Sequence, residues 1–244
     1  MGLQPDNRWI GGYVDYEWDH LRHVVQALPV TLKGLRVLEF GSNVGASAIL
    51  LAHLGANVSG VDITHDVVKL AQLNAERFCQ DGVQFQCVPD TRAMPFCDGE
   101  FDLIACNSVL EYVVPSDLAA VQREIDRVLK PGGLILVSGS SNRVWPYEVH
   151  SGRWWINYVP RIFDRIRGKS VERGIWPWVA RYGFGPNYIN LDTAHAQNYF
   201  SRSRTLMGAS PIHLKWLLWA AARLRIGPGL LAQSVSCLLK KRAD

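Results

Sequence analysis

Two acidic side chains stand where a buried strand meets a small-residue turn, an arrangement typical of a nucleoside site. Glu39 lies near the end of the apolar run 35–40, just before a turn bracketed by Gly41 and Gly45. These glycines have no side chains, so a ligand can approach the backbone. The next predicted strand ends at Asp62, whose carboxylate can accept two hydrogen bonds from a ribose diol. The pattern predicts a βαβ unit that holds an adenosine group.

The turn does not have the dinucleotide fingerprint. That fingerprint needs a glycine at position 43, where the backbone must approach a pyrophosphate, and Asn43 stands there instead. The negative charge of Glu39 suits a cationic ligand better than a phosphate. The chain also contains no Tyr-x-x-x-Lys pair, which disfavours a short-chain dehydrogenase.

Four ordered motifs resemble those of the class I S-adenosylmethionine-dependent methyltransferases, in the branch with small-molecule and lipid-like acceptors. They lie within residues 8–140 and read EFGSNVG (39–45), VDIT (61–64), PDTRAMPFCDGEFDLIACNSVLEYV (89–113) and LKPGGLILVSG (129–139). The resemblance implies S-adenosylmethionine as the cofactor. It also implies an α/β fold, Rossmann-like and doubly wound, with a mostly parallel seven-stranded sheet.

The resemblance also implies which residues touch the cofactor. Asp62 would bind the ribose, and Ile63 would also contact the cofactor. Asp90 would recognise the adenine amino group with the backbone groups of Thr91 and Arg92 nearby, and Asn107 would lie beneath the cofactor. The methionine part would be held by residues at the first turn and covered by the aromatic side chain of Tyr16. The residues at the turn are Glu39, Gly41, Asn43 and Gly45. Both aspartates also fit helix caps or turn positions. No metal-ligating pattern is present, so no metal is expected.

Hydrophobic periodicity predicts alternating strands and helices up to residue 140. Strands are expected near 35–40, 56–61, 83–88, 101–107 and 133–139, with helices near 13–28, 45–54, 65–80 and 117–130. The expected organisation is a cap helix (1–34), a cofactor-binding core (35–140), a helical lid (141–200) and C-terminal basic amphipathic helices (201–244).

The net charge of the chain changes sign at the end of the predicted core. Residues 1–140 carry 10 Lys and Arg against 17 Asp and Glu, a net charge of −7, whereas residues 141–244 carry 16 against 5, a net charge of +11. No run of about 18 apolar residues, no leader segment and no Cys-x-x-Cys pair is visible among the five cysteines. These features lead us to expect a cytoplasmic protein.

The lid segment, residues 141–200, is the predicted acceptor site. Seven aromatic residues among arginines would form an apolar pocket with polar anchors, or the core of a small helical subdomain: Trp145, Tyr147, Trp154, Trp155, Tyr158, Trp176 and Trp178. Arg153, Arg161, Arg181 and Arg202 are candidates to bind an anionic group. His150, with Glu148 two residues before it, is the first candidate base, and His195 is the second.

Two segments of the tail, 211–225 and 229–242, are apolar and end in basic residues. Such helices suit peripheral contact with an anionic membrane through Trp216 and Trp219, or packing against the sheet edge.

The leading functional prediction is methyl transfer to a small hydrophobic or acidic acceptor by in-line displacement. A second hypothesis keeps the cofactor but changes the reaction, for example to cyclisation of its aminobutyrate chain. A third, suggested by the basic half, is a non-catalytic cofactor- or RNA-binding protein. No nucleic-acid-binding module is visible, so DNA is not expected as a partner and RNA is disfavoured.

Overall fold

A mixed seven-stranded sheet forms the centre of the protein, with strand order β3-β2-β1-β4-β5-β9-β8. The computed structural model describes residues 12–80, 82–160, 162–163, 173–194 and 199–243. The strands are β1 Arg36–Phe40, β2 Asn57–Asp62, β3 Val83–Cys87, β4 Phe101–Asn107, β5 Leu129–Ser138, β8 Tyr188–Asn190 and β9 Cys237–Lys241, and a separate hairpin pairs β6 Tyr147–Glu148 with β7 Arg153–Trp154.

The helices that cover the sheet alternate with its strands in the first half of the chain. In the described residues they are α1 Gly12–Gln26, α2 Ala46–His53, α3 His65–Arg77, α4 Leu118–Val128, α5 Pro177–Tyr182, α6 Leu191–Ala194, α7 Tyr199–Leu206 and α8 Pro211–Leu224, with 3-10 turns at Ile156–Tyr158 and Pro228–Leu230. None of the described helices is long and apolar enough to cross a membrane.

The central strands are buried on both faces, which explains their continuous apolar sequences. Val37 and Leu38 of β1 and Leu103 and Ile104 of β4 are fully buried, and the alternation of their side chains separates two hydrophobic clusters on opposite faces of the sheet. β1 pairs in parallel with both β2 and β4. The strands after β1 are therefore added first on the β2 side and then on the β4 side, and the boundary between β1 and β4 is the switch point of the sheet. In such sheets ligands bind at this switch point, beyond the carboxyl ends of the strands.

The structure confirms the predicted α/β fold with a mostly parallel seven-stranded sheet. The five strands and four helices predicted before residue 140 are present, with ends that differ by up to a few residues. The predicted helix over 229–242 is wrong. That stretch holds a 3-10 turn and then β9, which lies antiparallel between β5 and β8, because apolar residues such as Leu238 and Leu239 fill an interior position in the sheet.

The lid segment is not a separate helical unit in its described part. It begins with the β6–β7 hairpin, and its later residues form β8 at the edge of the main sheet. Asn142, which is fully buried, ties the start of the segment to the region before β9 by donating hydrogen bonds to the carbonyl oxygens of Leu230 and Ala232 at 2.9 and 2.7 Å. The segment is therefore built into the core fold at both ends.

Candidate functional site

A cavity of about 1290 Å³ opens at the carboxyl edge of the sheet, over the switch point between β1 and β4. Its walls come from α1 on one side, from the residues after β1, β2 and β4 below, and from α7 and the residues before β9 on the far side. A cavity of this size accommodates a nucleoside together with a second small molecule.

The turn after β1 is held in place by Asp62 at the end of β2. The Asn43 N–H donates to Asp62 Oδ2 and the Thr64 N–H donates to Oδ1, both at 3.0 Å. Asn43 has φ +46°, in the left-handed region where asparagine is one of the few tolerated residues besides glycine. This explains how the turn keeps its shape without the motif's middle glycine. Each carboxylate oxygen retains a lone pair for a ligand.

Two glycines allow the backbone to form the cavity floor. Gly41 has φ +75°, and a Cβ there would overlap the Val109 side chain; Gly139, also at φ +75°, would bring a Cβ onto Ser108 and Asn107. Any side chain at these positions would displace the residues that follow β4. The floor is therefore shaped by backbone at the place where a ligand comes closest.

Asp90 lies at the rim of the cavity in an ion pair with Arg92. Arg92 donates to Asp90 Oδ1 through Nε at 2.8 Å and to Oδ2 through Nη2 at 3.0 Å. These hydrogen bonds lower the pKa of Asp90 to about 2. Thr91 and Ile63 line the same rim. Asp90 is thus ionised and oriented, with its remaining lone pairs available to an amino group.

Two buried carboxylates, Glu17 from α1 and Glu39 from β1, lie beside the floor. Asn107 Nδ2 donates to Glu17 Oε1 and to Ser47 Oγ, both at 3.0 Å. Burial raises the pKa of Glu17 to about 7, against the opposing effect of hydrogen bonds from Asn107 and Tyr13. Burial, reinforced by the charge of Glu17, raises the pKa of Glu39 well above its usual range. Together they favour a positively charged ligand, which would stabilise their ionised forms.

Replacing Glu17 with glutamine should stabilise the cofactor-free protein at alkaline pH. Because the pKa of Glu17 is raised on folding, the wild-type protein loses stability as pH rises from about 4.5 through about 7. Glutamine keeps the oxygen that accepts from Asn107 but carries no charge. We expect the stability advantage of Glu17→Gln to grow by roughly 2–3 kcal/mol between pH 5 and pH 8, measured by urea unfolding.

Glu76→Gln provides the control for this measurement, because Glu76 is an exposed glutamate on α3. Its stability difference from the wild type should not change with pH. If the free energies of unfolding of the wild type and of Glu17→Gln changed in parallel with pH, Glu17 would ionise in the folded protein as it does in the unfolded chain, and the prediction would be wrong.

His150 lies on the opposite side of the cavity and pairs with a carboxylate that sequence reasoning did not assign to it. Its Nε2 is 3.2 Å from Oε1 of Glu111, whose side chain is 2% exposed. Glu111 is held in turn by the Ser140 hydroxyl, which donates to Oε2 at 2.6 Å. A carboxylate that accepts the Nε2 proton places the lone pair of a neutral imidazole on Nδ1. This is the arrangement of a base with an orienting acid.

The predicted pairing of His150 with Glu148 is therefore corrected. Glu148 Oε1 accepts the backbone N–H of His150 at 3.0 Å, and Glu148 Oε2 accepts that of Ser151. Burial opposes ionisation of Glu148, but these hydrogen bonds outweigh it and lower its pKa. Glu148 stabilises the turn between β6 and β7 that carries His150, and it does not line the cavity.

The cavity brings together most of the residues predicted for the site. Those that line it are Tyr16, Gly41, Asn43, Asp62, Ile63, Asp90, Thr91, Asn107 and His150. Glu39 is buried behind the floor, and Gly45 lies against Phe85 and Ala71, where it allows close packing of α3. His195 lies outside the described residues.

The cavity is not the aromatic pocket that was predicted for the lid segment. None of the seven lid aromatics lines the cavity, and several are largely exposed, among them Trp154 (65%) and Trp155 (63%). The lid segment contributes Val149 and His150 instead.

Glu17 and Arg204 are residues of the site that sequence reasoning missed, and it did not pair Glu111 with His150. Glu17 did carry a signal, because it stands on the apolar side of an amphipathic helix, with Leu21 and Val24. Glu111 and its partner His150 are 39 residues apart, and Arg204 lies 54 residues beyond His150, so only folding brings these side chains to the same side of the cavity.

The sheet order and the cavity over its switch point define a Rossmann-like α/β fold, in which Asp62 and Asp90 line the cavity and Glu39 is buried behind its floor. Residues 38–137 match a family model described as a methyltransferase domain. This segment of the chain is therefore a class I S-adenosylmethionine-dependent methyltransferase domain, and its cofactor is S-adenosylmethionine. The residues present fit that cofactor, since Asp62 presents a carboxylate to the cavity and the buried acids Glu17 and Glu39 lie beside its floor.

Curated relatives include ubiquinone biosynthesis O-methyltransferases. The one from Xanthomonas campestris is 37% identical over 113 residues, which cover 46% of this chain and 46% of that protein. The one from Psychrobacter arcticus is 33% identical over 135 residues, which cover 55% of this chain and 51% of that protein. The similarity thus spans about half the length of each relative.

Solved structures share the fold over a larger part of the chain. An S-adenosylmethionine-dependent methyltransferase from Mesorhizobium loti has a TM-score of 0.58 at 19% identity and covers 93% of this chain and 100% of that one. The [4+2]-cyclase SpnF has a TM-score of 0.56 at 19% identity, covering 91% and 79%. Because one fold serves different reactions, the activity has to be argued from the site.

Proposed function

We propose that this protein is a methyltransferase that transfers a methyl group from S-adenosylmethionine to the hydroxyl group of a small-molecule acceptor by in-line displacement. The observation that carries this proposal is that one cavity is lined by the carboxylates of Asp62 and Asp90 and also by His150, which pairs with Glu111. The similarity to enzymes named O-methyltransferases supports transfer to oxygen.

Each part of the cavity has a distinct task in this reaction. When bound, S-adenosylmethionine supplies a methyl group on a positively charged sulfur that becomes a neutral thioether after transfer. Asp62 and Asp90 would hold the adenosine, and Glu17 with Asn107 would orient the methionine part. His150 would accept the hydroxyl proton as the acceptor oxygen attacks, and Glu111 would stabilise the resulting imidazolium. The walls of the cavity would hold the acceptor oxygen about 3 Å from the methyl carbon.

The proposal is tested by incubating the protein with S-adenosylmethionine, with and without a panel of phenols and catechols. Formation of S-adenosylhomocysteine that requires an acceptor, with a methylated product of matching mass, is the expected result. Methylthioadenosine formed without any acceptor would instead indicate cyclisation of the aminobutyrate chain. Cofactor binding without either product, together with salt-dependent RNA binding, would indicate the non-catalytic alternative.

We further propose that α8 makes peripheral contact with an anionic membrane. Its inner face, with Leu214, Leu217 and Ala221, packs on the protein, whereas Ile212, Trp216 and Trp219 form an outer stripe that is 68%, 66% and 55% exposed. Lys215 and Arg223 accompany this stripe, and α8 contains no acidic residue. Exposed tryptophans flanked by basic side chains suit the headgroup region of anionic lipids.

Vesicle sedimentation tests this contact. The wild type should sediment with vesicles of phosphatidylcholine and phosphatidylglycerol at 7:3 but not with pure phosphatidylcholine, and Trp216→Ser/Trp219→Ser should reduce the bound fraction about tenfold or more. Trp154→Ser/Trp155→Ser, which removes two exposed tryptophans from the lid segment, is the matched control. Equal vesicle binding by the two double variants would contradict the proposal. So would a dimer in solution in which a second copy of the chain covers the stripe.

A further inference from the structure

The residues that line the cavity differ between its two sides. Asp62 and Asp90 lie at the ends of β2 and of the segment after β3, whereas Ser236 directly precedes β9. The order β2-β1-β4-β5-β9 places four strand spacings between the two sides, about 19 Å. The side toward β2 carries carboxylates. The side toward β9, here called the acceptor lobe, is lined by Val149, His150, Arg204, Met207, Ser234 and Ser236.

Arg204 is the distinctive residue of the acceptor lobe. It projects from α7, its guanidinium group lies 5.0 Å from the centre of the Phe200 ring, and Nη1 is 3.6 Å from the sulfur of Met207. Among the residues that the structure describes, no carboxylate lies within ion-pair distance of it. Arg127 and Lys241, by contrast, each have a carboxylate oxygen within 2.9 Å.

The surroundings of Arg204 leave its charge without compensation from the described residues. Burial lowers the pKa of its guanidinium, and the one opposing influence resolved there comes from Tyr199. A partly buried arginine next to apolar and hydroxyl groups is costly unless an anion joins it. The rigid fork of the guanidinium matches a carboxylate, which it can bind through two parallel hydrogen bonds.

We propose that the acceptor lobe recognises an anionic substituent, a carboxylate on the methyl acceptor, through Arg204. This inference rests on the proposed function, since it names the class of acceptor for the same cavity. The carboxylate would anchor the acceptor at the β9 side and direct its hydroxyl toward His150 and the centre of the cavity. Of the two acceptor classes predicted from the sequence, hydrophobic and acidic, the structure favours the acidic one.

Binding to the protein loaded with S-adenosylhomocysteine tests this inference without turnover. The probes are 3,4-dihydroxybenzoate and catechol, which differ by the carboxylate alone, and calorimetry gives the two dissociation constants. We expect the wild type to bind 3,4-dihydroxybenzoate about 10- to 100-fold more tightly than catechol. Arg204→Gln should abolish this preference, and Arg204→Lys should retain part of it.

Arg202→Gln is the matched control, because Arg202 lies on the same helix but is exposed and does not line the cavity. It should keep the full preference. Unchanged S-adenosylhomocysteine affinity in Arg204→Gln would show that this variant is folded. The inference is overturned if the wild type does not distinguish the probes, if it binds neither, or if Arg204→Gln keeps the preference. Failure of the proposed function would appear separately, as absence of methylated product with every acceptor.

Discussion

Replacing Asp62 with alanine is expected to weaken S-adenosylmethionine binding by about 100-fold or more. Two charge-assisted hydrogen bonds to the ribose would be lost, each worth about 1.5–3 kcal/mol. The variant also frees the Asn43 and Thr64 N–H groups, which donate to this carboxylate at 3.0 Å, so the turn after β1 loses its anchor. Calorimetric titration with S-adenosylmethionine and S-adenosylhomocysteine measures the effect, which should be similar for both ligands.

Asp66→Ala is the control for this experiment, because Asp66 is an exposed aspartate in the first turn of α3, four residues away. It removes the same charge from the same region without touching the cavity. Asp62→Asn, which keeps one oxygen acceptor, should lie between the two. Wild-type affinity in Asp62→Ala would refute the assignment of the ribose site.

The second large effect is expected at His150. If its imidazole accepts the acceptor proton, His150→Gln should lower kcat about 10²- to 10³-fold with a hydroxyl acceptor that is neutral at the assay pH. The KM for S-adenosylmethionine should change little, because the nucleoside site lies on the other side of the cavity. Glu111→Gln should produce a smaller loss in the same direction, since Glu111 acts by positioning and charge stabilisation.

The choice of acceptor provides a direct check on the role of His150. With 4-nitrocatechol, which is already ionised at pH 8, transfer needs no base, so the loss in His150→Gln should largely disappear. His213→Gln, an exposed histidine on α8, should behave as the wild type with both acceptors. An equal loss with catechol and 4-nitrocatechol would mean that His150 positions the acceptor and does not move its proton.

The cofactor-binding half of the protein could be predicted because short segments of its sequence determine the local structure. Each buried parallel strand is a continuous apolar run, and the turn and carboxylate that bind a nucleoside lie within a few residues of the strand end. Asp62 was found in this way, whereas Asp90 and Asn107 were found through the resemblance of their motif to the family, and all three line the cavity. Asn43 has a left-handed backbone conformation, φ +46°, which both asparagine and glycine tolerate.

The second half could not be predicted in the same way because its structure depends on distant partners. Cys237–Lys241 forms a strand only because β5 and β8 flank it, and a stretch that is apolar and then basic fits a helix equally well when read alone. The tryptophans of the lid segment suggested a pocket, but residue type does not reveal which side faces the cavity. Glu111 and His150, which are 39 residues apart, meet only after β5 has been placed.

The position of β9 has a consequence for synthesis on the ribosome. β5 emerges about a hundred residues before its antiparallel neighbour, so during translation the nascent sheet presents an open, strongly apolar edge at Ile135, Leu136 and Val137. Unpaired edges of this kind favour intermolecular association. Nascent chains stalled before residue 237 should therefore engage chaperones or aggregate, whereas those that have released β9 should become protease-resistant.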